Sequence, residues 1–391
     1  MERIVVVGAG LAGLHAAVEL RRQGFTDEIV VVGDEVDPPY DRPPLSKQVL
    51  AGRIEPAECG LGHADVDATW RLGDRAVGLR PADRVLDLGD GSELSYDGLV
   101  IATGRRARQL PLDPRPGLMS LRSLDDAVRL RDAARSARHV VIIGAGFIGC
   151  EVAATLRGRE DPPQVAVVDA ADRPLPVIGP EAGGRARRLH ERHGVTFHLG
   201  TTVTGVEGDD RVTAVRLGDG TRLAADLALV AVGSSANTEW LMGSGVALQD
   251  GAVVCDEGCF AVGFEDVVAV GDVAAWPQGG VAVHGRVGAV EHWTNARDMA
   301  RQGAANLLRG RAVAEPYQPV PSFWSDQYDV KIKSLGFLRS ATRFAVVEED
   351  PDRDRLVVEA LRGDELVGVV LFNRNRLVAS YQQRLRSPVA A

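Results

Sequence analysis

Residues 3–35 read RIVVVGAGLAGLHAAVELRRQGFTDEIVVVGDE, and this stretch decides the fold. A run of β-branched residues leads into a glycine turn, a helix-forming segment follows, and a second apolar run ends near an acid. Strand, glycine turn, helix, strand and acid in this order form the dinucleotide-binding fingerprint. Gly8 permits the tight turn, Gly10 lets the backbone approach a pyrophosphate, and Gly13 lets helix and strand pack closely. Glu35 is then placed to accept hydrogen bonds from a ribose.

A second stretch, residues 139–169, repeats the pattern. HVVII leads into GAGFIG, and a later apolar run ends at Asp169. The turn holds three glycines in the same roles as before, namely Gly144, Gly146 and Gly149. A carboxylate at this place accepts from a ribose 2′-hydroxyl and repels a 2′-phosphate, so Asp169 favours NADH over NADPH. Arg173, four residues further on, softens that preference. The chain is therefore expected to bind two dinucleotides.

Composition sets the protein class. The length of 391 residues suggests two or three domains, and 45% hydrophobic with 25% charged residues is ordinary for a globular protein. The net charge of -9 argues against nucleic acid as a partner. We expect neither a signal peptide nor a membrane span, because no apolar run approaches the ~18 residues that a span needs. The cysteines form no C-x-x-C pair and are read as thiols in a reducing cytoplasm, with no metal site.

Residues 38–47, PPYDRPPLSK, predict a rigid extended loop just past a strand end. Arg42 and Lys47 then present cations to a cofactor, or they are solvated surface charges. Residues 70–101 predict short strands, and Ala102 supplies the small side chain needed where backbone meets a cofactor. Glu151 follows the second turn, and from its position alone it also fits a residue that complements the helix dipole.

The later chain predicts further strands, one ending at Gly233 and one at residues 267–272. Gly271 and Asp272 close the latter, and an acid there needs a partner such as a ribityl hydroxyl. A helix is expected over 291–308. From residue 316 the character changes to an aromatic run, further strands, and a helix from about residue 373. Trp324 in that run is either a core residue or a ring facing a cofactor.

These observations predict an α/β fold with two Rossmann-like dinucleotide-binding domains and a small α+β C-terminal domain. We expect a discontinuous first domain over 1–110 and 234–315, a second over 111–233, and the C-terminal domain over 316–391.

The combination of motifs resembles the FAD-dependent NAD(P)H:ferredoxin reductases of the putidaredoxin reductase type. The resemblance rests on both glycine turns together with RPPLSK, ATG, VGD, EHW and FWSDQY, found in that order at residues 42–47, 102–104, 270–272, 291–293 and 323–328. It covers essentially the whole chain. The resemblance implies a glutathione-reductase-like arrangement of the two Rossmann-like domains. The position that holds a cysteine pair in the glutathione-reductase-like superfamily reads Leu45-Ser46-Lys47 here, so no redox disulfide is expected.

The resemblance implies roles for individual residues. The positions assigned to FAD are Gly8, Gly10, Gly13, Glu35, Arg42, Lys47, Val77, Ala102, Arg122, Gly271 and Asp272. Those assigned to NADH are Gly144, Gly146, Gly149, Glu151, Asp169 and Gly233. Trp293 and Trp324 match positions near the isoalloxazine ring. Lys47 and Glu151 match a catalytic pair beside the flavin N5 edge and the nicotinamide.

The resemblance also implies the reaction. NADH gives a hydride to FAD, and electrons pass singly to an acidic 2Fe–2S ferredoxin that serves a monooxygenase or dioxygenase. Docking is expected on local cations, namely Arg286, Lys331, Lys333 and Arg339, in a monomer or homodimer. An NADH oxidase or rubredoxin reductase of the same fold is an alternative. A binding protein like apoptosis-inducing factor is another, although it usually carries targeting or basic stretches.

Overall fold

The computed structural model of the chain describes residues 1–278 and 287–386, which divide into two compact units. Unit 1 comprises Met1–Asp41, Gly60–Arg106 and Ser235–Pro321. Unit 2 comprises Arg42–Cys59, Ala107–Ser234 and Ser322–Ala391. The division into three domains inferred from the sequence differs from this one, and it stays a prediction.

Unit 1 is built on a five-stranded parallel sheet. In spatial order its strands are Val267–Ala269, Gly98–Ile101, Arg3–Val7, Glu28–Gly33 and Thr69–Leu72. Apart from edge strand Thr69–Leu72, the strands are largely apolar and buried, because helices and loops cover both faces of a parallel sheet. Helix Leu11–Arg22 follows strand Arg3–Val7 in the chain and packs beside helix Trp293–Arg309. The predicted strand, glycine turn, helix and second strand are therefore confirmed.

Two smaller sheets complete unit 1. A three-stranded antiparallel sheet contains Ala76–Arg80, Val85–Leu88 and Glu93–Ser95. A four-stranded sheet contains Leu248–Gln249, Ala252–Val254, Ala274–Pro277 and Val287–Gly288. Two further short strands, Arg105–Ala107 and Ser234–Ala236, lie where the chain passes from one unit to the other. The strands expected between residues 70 and 101 are thus present.

Unit 2 contains a second five-stranded parallel sheet. Its strands, in spatial order, are Val195–Leu199, Gln164–Asp169, His139–Ile143, Leu227–Val230 and Leu118–Ser120. Its helices are Leu124–Ala134, Phe147–Arg157 and Pro180–Arg192. The strand before the glycine turn again lies in the middle of the sheet. A small antiparallel sheet of Val203–Glu207, Ala214–Leu217 and Arg222–Ala224 adjoins these elements in sequence.

The C-terminal part of unit 2 is a five-stranded antiparallel sheet. Its spatial order is Ser322–Gln327, Val330–Gly336, Glu365–Phe372, Arg355–Arg362 and Arg343–Asp350, and helix Val378–Arg386 follows. Helix Pro180–Arg192 shares one apolar core with this sheet through Ala186, Leu189, Val358 and Phe372. The last helix begins later than the sequence predicts, because Asn373 adopts a left-handed φ of +49° and first turns the chain out of the strand.

The predicted extended loop over 38–47 is wrong at its C-terminal end. Leu45–Val49 forms a single π-helical turn. Pro44 precedes it with φ -68°, an angle that suits a helix start, where the missing proline N–H has no partner to lose. Once the prolines end, the next backbone N–H groups are free to make helical bonds. Lys47 therefore sits on a helical turn.

Candidate active site

The first glycine turn has the geometry of a phosphate cradle. A Cβ at Gly13 would overlap the carbonyl oxygen of Gly8, and a Cβ at Gly8 would overlap that of Ala102. Gly8 also has φ +117°, which a side chain rarely allows. At Gly10, by contrast, a Cβ would meet no protein atom within 4 Å. Open space at the start of a helix, beside exposed N–H groups, fits the pyrophosphate of a dinucleotide.

The acid expected to bind the first ribose lies beyond the end of strand Glu28–Gly33. Glu35 is half-buried and accepts a hydrogen bond from the hydroxyl of Tyr40. A carboxylate offers about four acceptor positions and can therefore accept several hydrogen bonds at once. Tyr40 was not singled out from the sequence, although it lies only five residues further along the chain.

Gly271 and Asp272 lie at the end of strand Val267–Ala269, as the sequence predicts. Gly271 has φ +75°, and a Cβ there would meet the Ala12 side chain in the helix after the first glycine turn. The close approach brings the backbone at Asp272 to the start of that helix. The Asp272 carbonyl also accepts from Arg105.

The other predicted residues of unit 1 are Trp293 and Val77. The Trp293 indole donates to Asp41 at 2.7 Å, and the Arg297 guanidinium lies over its ring at 5.3 Å. These contacts fix the ring at the first position of helix Trp293–Arg309. Val77 lies at a bulge in the strand pair and is 51% exposed. An exposed apolar side chain at that place is available for contact with a cofactor.

The second glycine turn repeats the first in unit 2. A Cβ at Gly149 would overlap the Gly144 carbonyl, one at Gly144 would overlap the Ala231 carbonyl, and one at Gly146 would meet nothing within 4 Å. Gly233 has φ +94° and is equally open. Two stretches far apart in the chain thus build the same cradle, as their sequences predict.

Asp169 ends its strand, and its carboxylate turns toward the second glycine turn. It accepts from the backbone N–H of Ala145 at 2.6 Å and of Ala171 at 2.8 Å. These bonds hold a negative charge beside the turn, where it disfavours a 2′-phosphate. The Arg173 guanidinium pairs with Asp172 at 2.7 Å, and its effect on the nicotinamide preference stays a prediction.

The predicted pair Lys47 and Glu151 is an ion pair within unit 2. The Lys47 ammonium lies 2.7 Å from Glu151 Oε2, and the two side chains are 14% and 8% exposed. The Ser46 hydroxyl donates to the same oxygen at 2.5 Å, and the Ser325 hydroxyl donates to Oε1 at 2.7 Å. A role in complementing the helix dipole therefore does not fully describe Glu151, because side chains from two other segments donate hydrogen bonds to its carboxylate.

Three further predicted residues belong to unit 2. Arg42 donates to the backbone carbonyl of Arg122 at 2.6 Å, which ties the RPPLSK segment to the loop before helix Leu124–Ala134. Trp324 is half-buried in strand Ser322–Gln327, opposite Lys333. The roles of all these residues toward a cofactor stay predictions.

Sequence reasoning missed the polar partners of Glu151. Ser46 and Ser325 stand inside motifs quoted above, but nothing in their spacing connects them to a carboxylate 105 and 174 residues away. Asp41, the partner of Trp293, was missed for the same reason, because 252 residues separate the two.

The four cysteines, Cys59, Cys150, Cys255 and Cys259, are all buried thiols. Burial raises the pKa of the Cys150 and Cys259 thiols, and it raises that of Cys255 to about 12. Such thiols are poor nucleophiles. Within residues 1–278 and 287–386 no group of three or more His, Cys, Asp or Glu side chains is placed to hold a metal ion. In the same residues no helix is long and apolar enough to cross a membrane.

A chain with two such cradles, each on its own parallel sheet, defines the class of two-dinucleotide oxidoreductases. The model of the pyridine nucleotide-disulphide oxidoreductase family matches residues 2–300, and the chain belongs to that family. A reductase C-terminal model matches residues 322–389.

Known relatives are similar to this chain along most of its length. The chain is 36% identical to rhodocoxin reductase of Rhodococcus erythropolis, over 95% of this chain and 87% of that protein. It is 36% identical to the biphenyl dioxygenase system ferredoxin–NAD(+) reductase component of Paraburkholderia xenovorans, over 86% of this chain and 81% of the relative. The crystal structure of the covalent putidaredoxin reductase–putidaredoxin complex matches with a TM-score of 0.91 at 32% identity, over 99% of this chain and 94% of that one.

These findings confirm the predicted fold class, the resemblance to ferredoxin reductases, the oxidoreductase class, and FAD and NADH as cofactors. The glycine geometry fits both cofactors independently.

Proposed function

We propose that this protein passes electrons from NADH through FAD to a 2Fe–2S ferredoxin that serves a monooxygenase or dioxygenase. The observation that carries the proposal is the presence of two complete dinucleotide cradles in one chain, with the Lys47–Glu151 pair in place of a redox cysteine pair. Relatives that match along most of the chain are named as ferredoxin reductases, which supports the same partner class.

The chain's own residues bind and orient the cofactors. When bound, FAD supplies the chemistry that accepts a hydride and releases electrons singly to a one-electron carrier. The N–H groups at the start of helix Leu11–Arg22 hold the pyrophosphate of FAD, and Glu35 holds a ribose. Those at the start of helix Phe147–Arg157 hold the pyrophosphate of NADH, and Asp169 holds its adenosine ribose.

Lys47 and Glu151 are the proposed catalytic pair. The Lys47 ammonium would stabilise negative charge on a bound flavin. Glu151 would orient the carboxamide of a bound nicotinamide. Both side chains are largely withdrawn from water, so their charges act at low dielectric and strengthen these interactions.

Docking of an acidic ferredoxin would use local cations despite the overall charge of -9. On strand Val330–Gly336, Lys331 is exposed and Lys333 is half-buried, and Arg339 is exposed in the turn that follows. Complementary charge mainly raises the association rate and makes it sensitive to salt. Arg286, the fourth predicted cation, lies outside the described residues.

A rubredoxin reductase or NADH oxidase remains the second candidate of the same fold. The buried thiols disfavour an oxidase that needs a cysteine sulfenic acid, because such a cysteine must be accessible and easily ionised. The same buried thiols support a reducing compartment such as the cytoplasm. A role in binding alone predicts slow turnover with every acceptor.

The deciding experiment titrates the purified protein anaerobically with NADH and, separately, with NADPH while the flavin absorbance is followed. We expect NADH to bleach the flavin and NADPH to do so poorly. Turnover is then compared with ferredoxin, rubredoxin, ferricyanide and oxygen. Salt-sensitive turnover with ferredoxin supports the proposal, whereas oxygen consumption without a carrier identifies an oxidase. Bleaching by NADPH alone would refute the nicotinamide assignment.

A further inference from the structure

A line of buried side chains leads away from Glu151 through the interior of unit 2. Ser325 Oγ lies 2.7 Å from Glu151 Oε1, and Gln327 Nε2 lies 3.1 Å from Ser325 Oγ. His190 Nε2 lies 2.9 Å from Gln327 Oε1, and the Tyr328 hydroxyl lies 3.2 Å from His190 Nδ1. We call Ser325, Gln327, His190 and Tyr328 the donor chain.

The chemistry of Glu151 sets the direction of every bond in the donor chain. A carboxylate paired with Lys47 only accepts, so Ser325 must donate its single proton to Glu151. The Ser325 oxygen then accepts from the Gln327 amide N–H, which leaves the Gln327 carbonyl to accept from His190 Nε2. His190 is therefore the neutral tautomer with its proton on Nε2, and its Nδ1 accepts from Tyr328. Each bond polarises the next toward the carboxylate.

Burial supports this assignment. Ser325, Gln327 and the His190 side chain have 0% exposure. The loss of hydration lowers the pKa of His190 to about 4, so its ring is neutral at physiological pH. Each side-chain nitrogen and oxygen of the three residues has a hydrogen-bond partner. A satisfied buried network of this kind specifies a single arrangement.

The backbone at Tyr328 supplies a second, independent observation. Tyr328 has φ +58° in the tight turn between strands Ser322–Gln327 and Val330–Gly336, where glycine or asparagine is the usual residue. For a bulky residue this conformation is strained. Here the Tyr328 ring stacks on His193 at 3.6 Å, and its hydroxyl reaches His190. The strained turn thus positions the Tyr328 hydroxyl, which is the last donor of the donor chain.

We propose that Ser325, Gln327 and His190 are positioning residues for Glu151. Through the donor chain they hold its carboxylate in one orientation, so that it meets the nicotinamide with fixed geometry. The inference rests on the proposed function, because it assigns these residues to the same hydride transfer. They touch neither cofactor in this account and act only through Glu151.

The test compares Ser325→Ala and His190→Leu, which break the chain, with His190→Gln, whose amide nitrogen can replace the Nε2 donor. Ser340→Ala is the matched control, since Ser340 also loses a short hydrogen bond in the C-terminal sheet region, to the Phe337 carbonyl at 2.7 Å. We measure the anaerobic rate of flavin reduction at saturating NADH, and the affinity of the oxidised protein for NAD⁺ by calorimetry. Thermal unfolding shows which variants remain folded.

We expect the reduction rate to fall about tenfold in Ser325→Ala and His190→Leu, well inside the ~100-fold that a 1 Å misplacement near a reaction centre can cost. NAD⁺ affinity should fall about threefold, and both His190→Gln and Ser340→Ala should stay within about twofold of wild type. In a Glu151→Gln background the Ser325→Ala effect should shrink below about twofold, since residues acting through one group are not additive. Full additivity, or wild-type rates in folded Ser325→Ala protein, would overturn the proposal.

Nitrogen-15 NMR of the histidines gives a readout that does not depend on turnover. His190 should appear as the neutral tautomer with its proton on Nε2, and its Nε2 signal should shift in Ser325→Ala. A proton on Nδ1 would overturn the donor chain even if all rates behaved as expected. Wild-type protein that NADH does not bleach would instead refute the proposed function, whatever the NMR result.

Discussion

Replacing Gly146 with alanine should weaken NADH binding and leave the protein folded. A Cβ at Gly146 meets no protein atom within 4 Å, and φ of -75° suits alanine as well as glycine. Gly146 is, however, the N-cap residue, directly before helix Phe147–Arg157. The added methyl group would therefore occupy open space beside the N–H groups that we assign to the NADH pyrophosphate.

The size of the effect follows from the bonds at risk. A hydrogen bond to a charged phosphate oxygen contributes about 1.5–3 kcal/mol. Since 1.36 kcal/mol is a factor of ten, losing one such bond raises KM for NADH about 10- to 150-fold. The methyl group touches no protein atom, so the free energy of unfolding should change by no more than about 0.5 kcal/mol.

Gly149→Ala is the matched control with the opposite expected result. Its Cβ would overlap the Gly144 carbonyl, which is backbone and does not move aside without shifting the helix. We expect a loss of about 1–3 kcal/mol or more in unfolding free energy. The assays are ferricyanide reduction across NADH concentrations and thermal unfolding of the FAD-loaded protein. An unchanged KM in Gly146→Ala, or a loss of stability as large as that of Gly149→Ala, would refute the reasoning.

Three further predictions concern charged groups. Lys47→Met should lower the limiting rate of flavin reduction at least tenfold, and a wild-type rate would exclude a role for Lys47 in that step. The same change should lower the free energy of unfolding by roughly 3 kcal/mol. This is the low end for breaking a buried ion pair, because the Lys47 side chain is still 14% exposed. The pKa of His190 is 6.5 in the unfolded state and about 4 in the folded state. As the pH falls, the unfolded state therefore takes up the proton before the folded state does. The free energy of unfolding should fall by up to about 3 kcal/mol between pH 6.5 and pH 4. Chemical denaturation of wild type against His190→Gln measures this difference, and parallel pH curves would count against it. Lys331→Glu combined with Lys333→Glu should lower kcat/KM for ferredoxin about tenfold and leave ferricyanide turnover intact; equal losses with both acceptors would remove these residues from the docking surface.

Local features of the chain were predictable from sequence because they depend on neighbours a few residues apart. The two glycine turns are each defined within six residues, and the clashes that a Cβ would cause explain why glycine is needed at Gly8, Gly13, Gly144 and Gly149. The flanking strands followed from apolar runs that a buried parallel sheet requires. The helical turn at Leu45–Val49 was missed because the prolines before it dominate the local pattern.

The surroundings of Glu151 depend on segments far apart in the chain. Sequence places this residue after the second glycine turn, and it supports capping of the helix dipole as readily as catalysis. Its hydrogen-bond donors come from Ser46 on the proline-rich segment and Ser325 on the C-terminal sheet. His190 reaches Gln327 across 137 residues.

By itself, then, the sequence determined that the chain binds two dinucleotides, because backbone conformation at a glycine turn is a local property. Only the tertiary structure decided what holds the Glu151 carboxylate, because hydrogen-bond partners for a buried charge are supplied by whichever segments the core brings beside it. Burial forces every polar atom there to find a partner, and that requirement cannot be read from any one stretch of residues.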